Sequence, residues 1–460
     1  MSLYNVLARN VMAPAMDLLR GTHTISCLRE LEESQWWPAE RLEELQSSRL
    51  RALITHAYEH VPYYRTLMQE RGVMPSDIRS ASDLTAMPVL TRQQVQQVGE
   101  SLIADNWPQE RLHLTKTSGS TGTPLQFYGT REDQLDHGFA RSIRALQWAG
   151  LSLCDRTALI GGPRLYGGGR YRFLQNAGRH VQRSVQVHVD TLSDEALPGV
   201  VRLLAAQRLD GIWSYPNAIA LIAGFIRDTS APVPAVRSIV TGGAELLSHE
   251  RSIVREVFGT EPYSKYSSYE AFDIACECSS HEGLHISAED IVVEVVDDAG
   301  AALPPGTEGR IVVTNLHNYG MPFIRYDLGD SGTMMPGTCA CKRTLPRLGS
   351  LVGRKNRFLV TRSGARVFPG TLFLDQLAGL GMRQYQIVQE TVDEVVMRLI
   401  PSPDASSTAE RATLERRVLE MFESRFGPEL SLRVEFADHI EPSDAGKHVF
   451  MLSRMPNAGI

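Results

Sequence analysis

From Leu28 to Gly72 (LRELEESQWWPAERLEELQSSRLRALITHAYEHVPYYRTLMQERG) apolar positions recur at helical spacing with few breakers. This pattern predicts an N-terminal helical segment. Trp36, Trp37 and Tyr63 are expected there as core or staple residues. Between about Leu112 and Thr333 the period changes. Short β-branched runs such as RTALI, GIWSYP, RSIVTGG and GRIVVTNL alternate with helical stretches such as PNAIALIAGFIRD and SHERSIVREVFG. Alternation of this kind predicts an α/β body, a mainly parallel sheet covered by helices. After Gly353-Arg354 the pattern mixes strands (FLVTRSGARVF, EVVMRLI, LRVEFA) with one long helical run (ATLERRVLEMFESRFG), which predicts a small α+β domain. The expected division is therefore residues 1–353, a large domain carrying the helical segment, and 354–460, a small C-terminal domain. SPDASST at 402–408 reads as a loop within the latter, and no internal repeat is apparent.

A length of 460 residues agrees with two or three domains. With 43% hydrophobic and 22% charged residues the chain can bury large cores and is too apolar to be disordered. Lys and Arg total 47 against 53 Asp and Glu, and the formal charge of −6 gives no field to hold a polyanion. Nucleic acid is not an expected partner. The N-terminus lacks an unbroken apolar stretch, and no later run approaches the roughly 18 apolar residues of a membrane span, so a cytoplasmic protein is expected.

Two stretches have chemical potential. Thr117-Ser-Gly-Ser-Thr-Gly-Thr-Pro124 follows the alternating RLHLTK. Its glycines let backbone N–H groups approach an anion, and its hydroxyls can donate to phosphate oxygens. It lacks the Gly-Lys-[Ser/Thr] of a Walker loop and the spacing of a dinucleotide fingerprint. On composition alone the simpler reading is a flexible Ser/Gly turn. The second stretch is Cys276-Glu-Cys278-Ser-Ser-His281-Glu-Gly-Leu-His285, followed later by Cys339-Ala-Cys341. Six cysteines, four of them in two C-x-C pairs, point to a reducing compartment and to metal rather than disulfides, with buried unliganded thiols as the alternative. Three thiolates and one imidazole would make a closed structural zinc site.

TSGSTGTP resembles the phosphate-binding loop of the adenylate-forming superfamily of acyl-CoA synthetases and adenylation domains. Further stretches match in order. Thr241-Gly-Gly-Ala-Glu245 resembles the loop that lies along adenine. Tyr266-Ser-Ser-Tyr-Glu270 falls at the family's Tyr-Gly-x-Thr/Ser-Glu motif. Arg325-Tyr-Asp-Leu-Gly-Asp330 resembles the segment whose last Asp holds the ribose hydroxyls. Gly353-Arg354 resembles the start of the interdomain hinge, and Gly446-Lys447 lies where the family carries its late catalytic lysine. With SQWW…HAYEHVPYYR, the set is most similar to the phenylacetate-CoA ligase and CapK branch, over nearly the whole chain from about Leu28.

The resemblance implies ATP-dependent activation of a carboxylic acid, aromatic or aryl-acetic, to acyl-AMP, then transfer to CoA. An amine or a carrier protein as acceptor is the alternative. It implies nucleotide contacts from Thr117, Ser118, Gly119, Ser120, Thr121, Gly122, Thr123, Gly243, Ala244, Glu245, Tyr266, Ser267, Tyr269, Asp330 and Arg354, and catalytic roles for Glu270 and Lys447. Glu270 would bind Mg²⁺, a hard ion that takes oxygen ligands, Asp330 would accept two ribose hydroxyls, and Lys447 would steady charge between carboxylate and α-phosphate. It also selects Cys278, His285, Cys339 and Cys341 as zinc ligands, with Cys276 and His281 in reserve. Implied partners are a small carboxylic acid, ATP and CoA; a homodimer is left open. Trp213, Tyr215, Phe272 and Phe323 are expected as walls of the acid pocket. Tyr269 and Asn356 depart from the family pattern, where a small hydroxyl residue and an Asp are usual.

Overall fold

Prolines and glycines punctuate the N-terminal helices. Helix α1 is Thr24–Ser34, α2 is Ala39–His60 and α3 is Pro62–Arg71, with Pro38 just before α2 and Pro62 opening α3, where its missing N–H costs nothing. Leu42, Leu50, Leu53, Ile54 and Ala57 of α2 are buried against the sheet, so this helix is held by its apolar face. Trp36 departs from the core expectation. It is half exposed, and its ring lies beneath the Arg343 guanidinium at 4.8 Å. The computed structural model describes residues 3–116, 125–161, 183–188, 192, 196–244, 246, 248–352, 359–363, 366–367, 377, 380, 382–401, 407–438, 440 and 451–453.

A hairpin of β1 (Leu112–Lys116) and β2 (Gln126–Thr130) flanks the Ser/Gly-rich stretch. The main sheet contains β3 (Thr157–Gly161), β4 (Val185–His188), β5 (Gly211–Ser214), β6 (Ser238–Gly242), β7 (Tyr263–Ser268), β8 (Phe272–Glu277), β9 (Leu284–Ile286), β10 (Ile291–Val296), β11 (Glu308–Asn315), β12 (Tyr326–Met335) and β13 (Arg347–Val352). Its 11 strands run in the order β10-β11-β12-β13-β9-β8-β7-β6-β5-β3-β4. The expected α/β body is present, and its parallel order is confined to β4, β3, β5, β6 and β7. Helices Pro216–Thr229 and Ser248–Phe258 make the crossovers that parallel pairing requires. From β7 onward every pairing is antiparallel because the strands there are joined by turns and loops, without crossover helices.

A second, four-stranded sheet, β16-β15-β14-β17, is formed by Met382–Gln389 (β14), Glu394–Pro401 (β15), Ser431–Phe436 (β16) and Met451–Ser453 (β17). Helix Thr408–Phe426 covers it through Leu414, Val418, Phe422 and Phe426, one residue per turn. Ser407 caps that helix reciprocally with Glu410, which ends the expected loop.

Candidate functional site

In a sheet of this kind the open carboxyl ends of parallel strands are where loops can close on a ligand. Gly243 and Ala244 lie directly beyond β6. Gly243 has φ +82°, and a Cβ there would come within 2.7 Å of the Tyr215 ring, so only glycine fits this turn against the aromatic. Tyr266 and Ser267 belong to β7, and Tyr269 and Glu270 form the turn into β8. Asp330 comes from β12.

The Tyr266 hydroxyl donates to Asp330 Oδ2 at 2.9 Å, which joins two motifs 64 residues apart. The other carboxylate of that segment, Asp327, turns aside to Arg310 at 2.9 Å, so Asp330 is the one that meets Tyr266. Tyr326 donates its hydroxyl to Glu270 Oε1 at 3.3 Å. Each predicted carboxylate thus has a phenol as a hydrogen-bonding neighbour, and the two phenols come from different halves of the sheet. Arg325 holds this arrangement from below. It is buried at φ +52°, and its guanidinium donates to the carbonyls of Met87 and Gly300 at 2.7 Å each and pairs with Glu294 at 2.9 Å. Burial raises the Glu294 carboxyl, against which Arg325 acts to lower it.

Of the proposed wall residues, Phe323 is fully buried and stacks on Tyr326 with ring centroids 4.7 Å apart. Trp213 lies on the opposite face of the sheet from Tyr266, its ring under the Lys265 ammonium at 4.0 Å, and Lys265 pairs with Asp273 at 2.8 Å. Phe272 packs against Gly138, where an added Cβ would meet the ring at 2.9 Å. Thr117, Ser118, Gly119, Ser120, Thr121, Gly122, Thr123, Glu245, Arg354, Asn356 and Lys447 lie outside the described residues.

The cysteine stretches converge. Ligand atoms of Cys278, His285, Cys339 and Cys341 all lie within 4.8 Å of one another. Cys278 follows β8, His285 sits in β9, and the C-x-C pair sits in the β12–β13 connection. Cys278 Sγ is 3.6 Å from Cys339 Sγ, and Cys341 Sγ is 3.2 Å from His285 Nε2. A tetrahedral zinc with sulfur bonds of about 2.3 Å has edges of about 3.8 Å, so these donors fit such an ion after small shifts. The other ring nitrogen, His285 Nδ1, donates to the Leu345 carbonyl at 3.3 Å, which leaves Nε2 as the acceptor facing the sulfurs. Burial holds the imidazole down at about 4, hence neutral, and pushes the Cys278 thiol up to about 11. A bound cation would reverse the latter by taking the thiolate. The reserve candidates stand apart. Cys276 points to the Ala145 carbonyl at 3.8 Å, and His281 pairs with Glu277 at 3.0 Å.

Sequence reading did not find the buried charges beneath the site. Arg141 and Arg144, three residues apart on helix Phe139–Trp148, are almost fully buried and pair with Asp290 and Glu289 respectively, the Arg144 pair being bidentate at 2.6 and 3.1 Å. The available signal was two arginines on the apolar face of an amphipathic helix.

No family model matches the chain. A phenylacetate-coenzyme A ligase of Thermus thermophilus is 28% identical over 428 residues, 88% of this chain and 88% of that protein. Protein CapK of Staphylococcus aureus is 20% identical over 421 residues, 90% and 89% of the two chains. A 2-hydroxyisobutyryl-CoA ligase solved with 2-HIB-AMP and CoA superposes with a TM-score of 0.66 at 22% identity, covering 91% of each chain. This chain has the adenylate-forming fold and is similar, over most of its length, to the phenylacetate-CoA ligase and CapK-like branch of that superfamily.

Proposed function

We propose that this protein activates a carboxylic acid with ATP and passes the acyl group to coenzyme A. The observation that carries the reading is the hydrogen bond between Tyr266 and Asp330, which brings two of the ordered nucleotide motifs together at the carboxyl ends of parallel strands. Similarity to phenylacetate-CoA ligases over most of the chain supports it. In the first half-reaction a carboxylate oxygen attacks the α-phosphorus of ATP, the α–β bridging bond breaks, and pyrophosphate leaves. In the second, the CoA thiolate attacks the acyl carbon and AMP departs with the electron pair.

The residues divide this work by chemistry. Thr117–Thr123 would donate hydroxyls and N–H groups to the phosphates, Gly243, Ala244 and Glu245 would line the adenine, and Asp330 would hold the ribose, with Tyr266 fixing its direction. Glu270 is the oxygen donor suited to Mg²⁺, which neutralises phosphate charge when bound. Lys447 would steady the charge that builds between carboxylate and α-phosphate. Residues 354–460 would act as a lid, with Arg354 at its hinge, and the Cys278/His285/Cys339/Cys341 group would hold a structural zinc bracing the loops after β8 and β12. The class of acid proposed is aromatic or aryl-acetic.

The test is acid-dependent ATP–pyrophosphate exchange with a panel of aromatic, aryl-acetic and aliphatic acids, followed by product analysis with and without CoA. Exchange with an aryl acid and a thioester formed only when CoA is present is the expected result. Exchange without thioester, but with amide when an amine is supplied, would reassign the acceptor. No exchange with any acid would overturn the reading.

A further inference from the structure

Glu270 is held from beneath by groups that no nucleotide motif contains. The carbonyl of Ala271 accepts a hydrogen bond from Arg141 Nη2 at 3.0 Å, and the carbonyl of Glu270 itself accepts one from Asn315 Nδ2 at 3.4 Å. Two consecutive peptide units are therefore pinned through their carbonyls, while Tyr326 reaches the carboxylate. Asn315 is fixed in turn by Asp133 Oδ1 at 2.9 Å. Arg141 is fixed by Asp290, whose Oδ2 lies 3.2 Å from Nη1.

Asp290 is a rigid post. It is fully buried and receives Arg49 at 2.8 Å, His317 Nε2 at 2.8 Å and His137 Nδ1 at 3.5 Å in addition to Arg141. His137, His317 and Asp290 also have the composition of a metal triad, but their geometry opposes it. The two rings are stacked, 3.3 Å between centroids and 12° from parallel, and an ion bound by both nitrogens would have to lie in both planes at once. The histidines serve Asp290 instead. Although burial works to raise that carboxyl, His317 and His137 hold it well below the usual carboxylate range.

We propose that Arg141 is a positioning residue for the nucleotide step, tying the Glu270–Ala271 turn to the Asp290 post and so setting the direction of the Glu270 carboxylate. This rests on the reading of Glu270 as the phosphate-metal ligand. Stability alone is a poor account of Arg141. Its Nε is buried with no hydrogen-bond partner, and a buried ion pair does little better than break even against apolar packing. What the guanidinium does that an apolar side chain could not is bridge an anion and a carbonyl at fixed geometry.

The experiment is a double-mutant cycle on initial pyrophosphate release against Mg²⁺ concentration, with Arg141→Lys, Glu270→Gln and the double variant, using the best acid from the exchange screen. Lysine keeps the charge beside Asp290 and cannot span both partners. Expected for Arg141→Lys is a rise of about 3- to 10-fold in half-saturating Mg²⁺ with the KM for the acid unchanged, an effect absent in the Glu270→Gln background. An Arg141→Lys loss that persists undiminished in that background, or no Mg²⁺ shift while Glu270→Gln has one, overturns the positioning role alone. If Glu270→Gln itself leaves the Mg²⁺ curve unchanged, the metal reading of Glu270 fails and the proposal with it. Should Arg141→Lys not fold, Arg141→Gln, whose short amide can donate to one partner but not bridge Asp290 and the Ala271 carbonyl, enters the same cycle with the same outcomes.

Discussion

At the scale of single residues, the stacked imidazoles illustrate how two like side chains on one carboxylate can be driven apart by burial and by charge on each other. Burial opposes charge on His137, but Asp290 and Cys27 push it up to about 9; burial leaves His317 down at about 4 despite the same Asp290. Charge on His137 and on Arg49, which face the same carboxylate, adds to the field that keeps His317 neutral. The signs then follow. His137 is raised, so its contribution to stability is complete below the ordinary imidazole value of 6.5 and is lost as pH climbs toward about 9. His317 is lowered, so its contribution is complete above 6.5 and is lost as pH falls toward about 4. Urea midpoints measured from pH 5 to 9 should peak near neutrality, His137→Gln should flatten the alkaline limb, and His317→Gln should flatten the acid limb, by roughly 2 kcal/mol each. Profiles that both variants leave unaltered would refute the assignment. None of this pairing was readable from the sequence, in which His137, Asp290 and His317 lie on separate elements with no motif to connect them.

At the scale of elements, the antiparallel half of the sheet explains why Cys278 and a C-x-C pair that begins 61 residues later can share a centre. Antiparallel pairing of β8 with β9 and of β9 with β13 lays the end of β8 and the start of β13 beside His285. The alternative to a metal there is a set of buried, unliganded thiols. A metal-bound protein should contain about one equivalent of zinc per chain by plasma emission. Cys339→Ser or Cys341→Ser should lose it and fall in stability by several kcal/mol, since binding energy at such a site is folding energy. Unchanged melting together with metal-free wild-type protein would assign the cluster to plain core packing. The two C-x-C pairs were legible because thiols are rare and their spacing is local; the choice of Cys278 over Cys276 rested on resemblance alone, because strand alternation and the nearby Ala145 carbonyl decide which way Cys276 points.

For the whole molecule, the two sheets have separate apolar cores, one of them built from residues 359–451. A chain of this kind can present one set of groups for acyl-AMP formation and another for thioester formation if the smaller sheet rotates between the steps. Lys447 is expected to serve only the first. Lys447→Ala should cut pyrophosphate release by about two to three orders of magnitude while conversion of supplied acyl-AMP and CoA to thioester stays within a few-fold of wild type. Equal losses in both half-reactions would place the lysine outside that role. No helix among the described residues is long and apolar enough to cross a membrane.

The sequence by itself determined the elements whose signals are local. The period of α2, the β-branched strands β3, β5, β6 and β11, the helix Thr408–Phe426 and the order of the nucleotide motifs could all be read in windows of ten or twenty residues. The tertiary structure decided what meets what: Tyr266 with Asp330, Tyr326 with Glu270, Arg141 with both Asp290 and Ala271. It also decided that the parallel order stops at β7. The reason is physical. Propensity, capping and amphipathic period act between near neighbours along the chain, whereas a hydrogen bond between Asn315 and Glu270, or an arginine buried against a carboxylate 149 positions away, exists only once strand order and register have been fixed by the packing of the whole sheet.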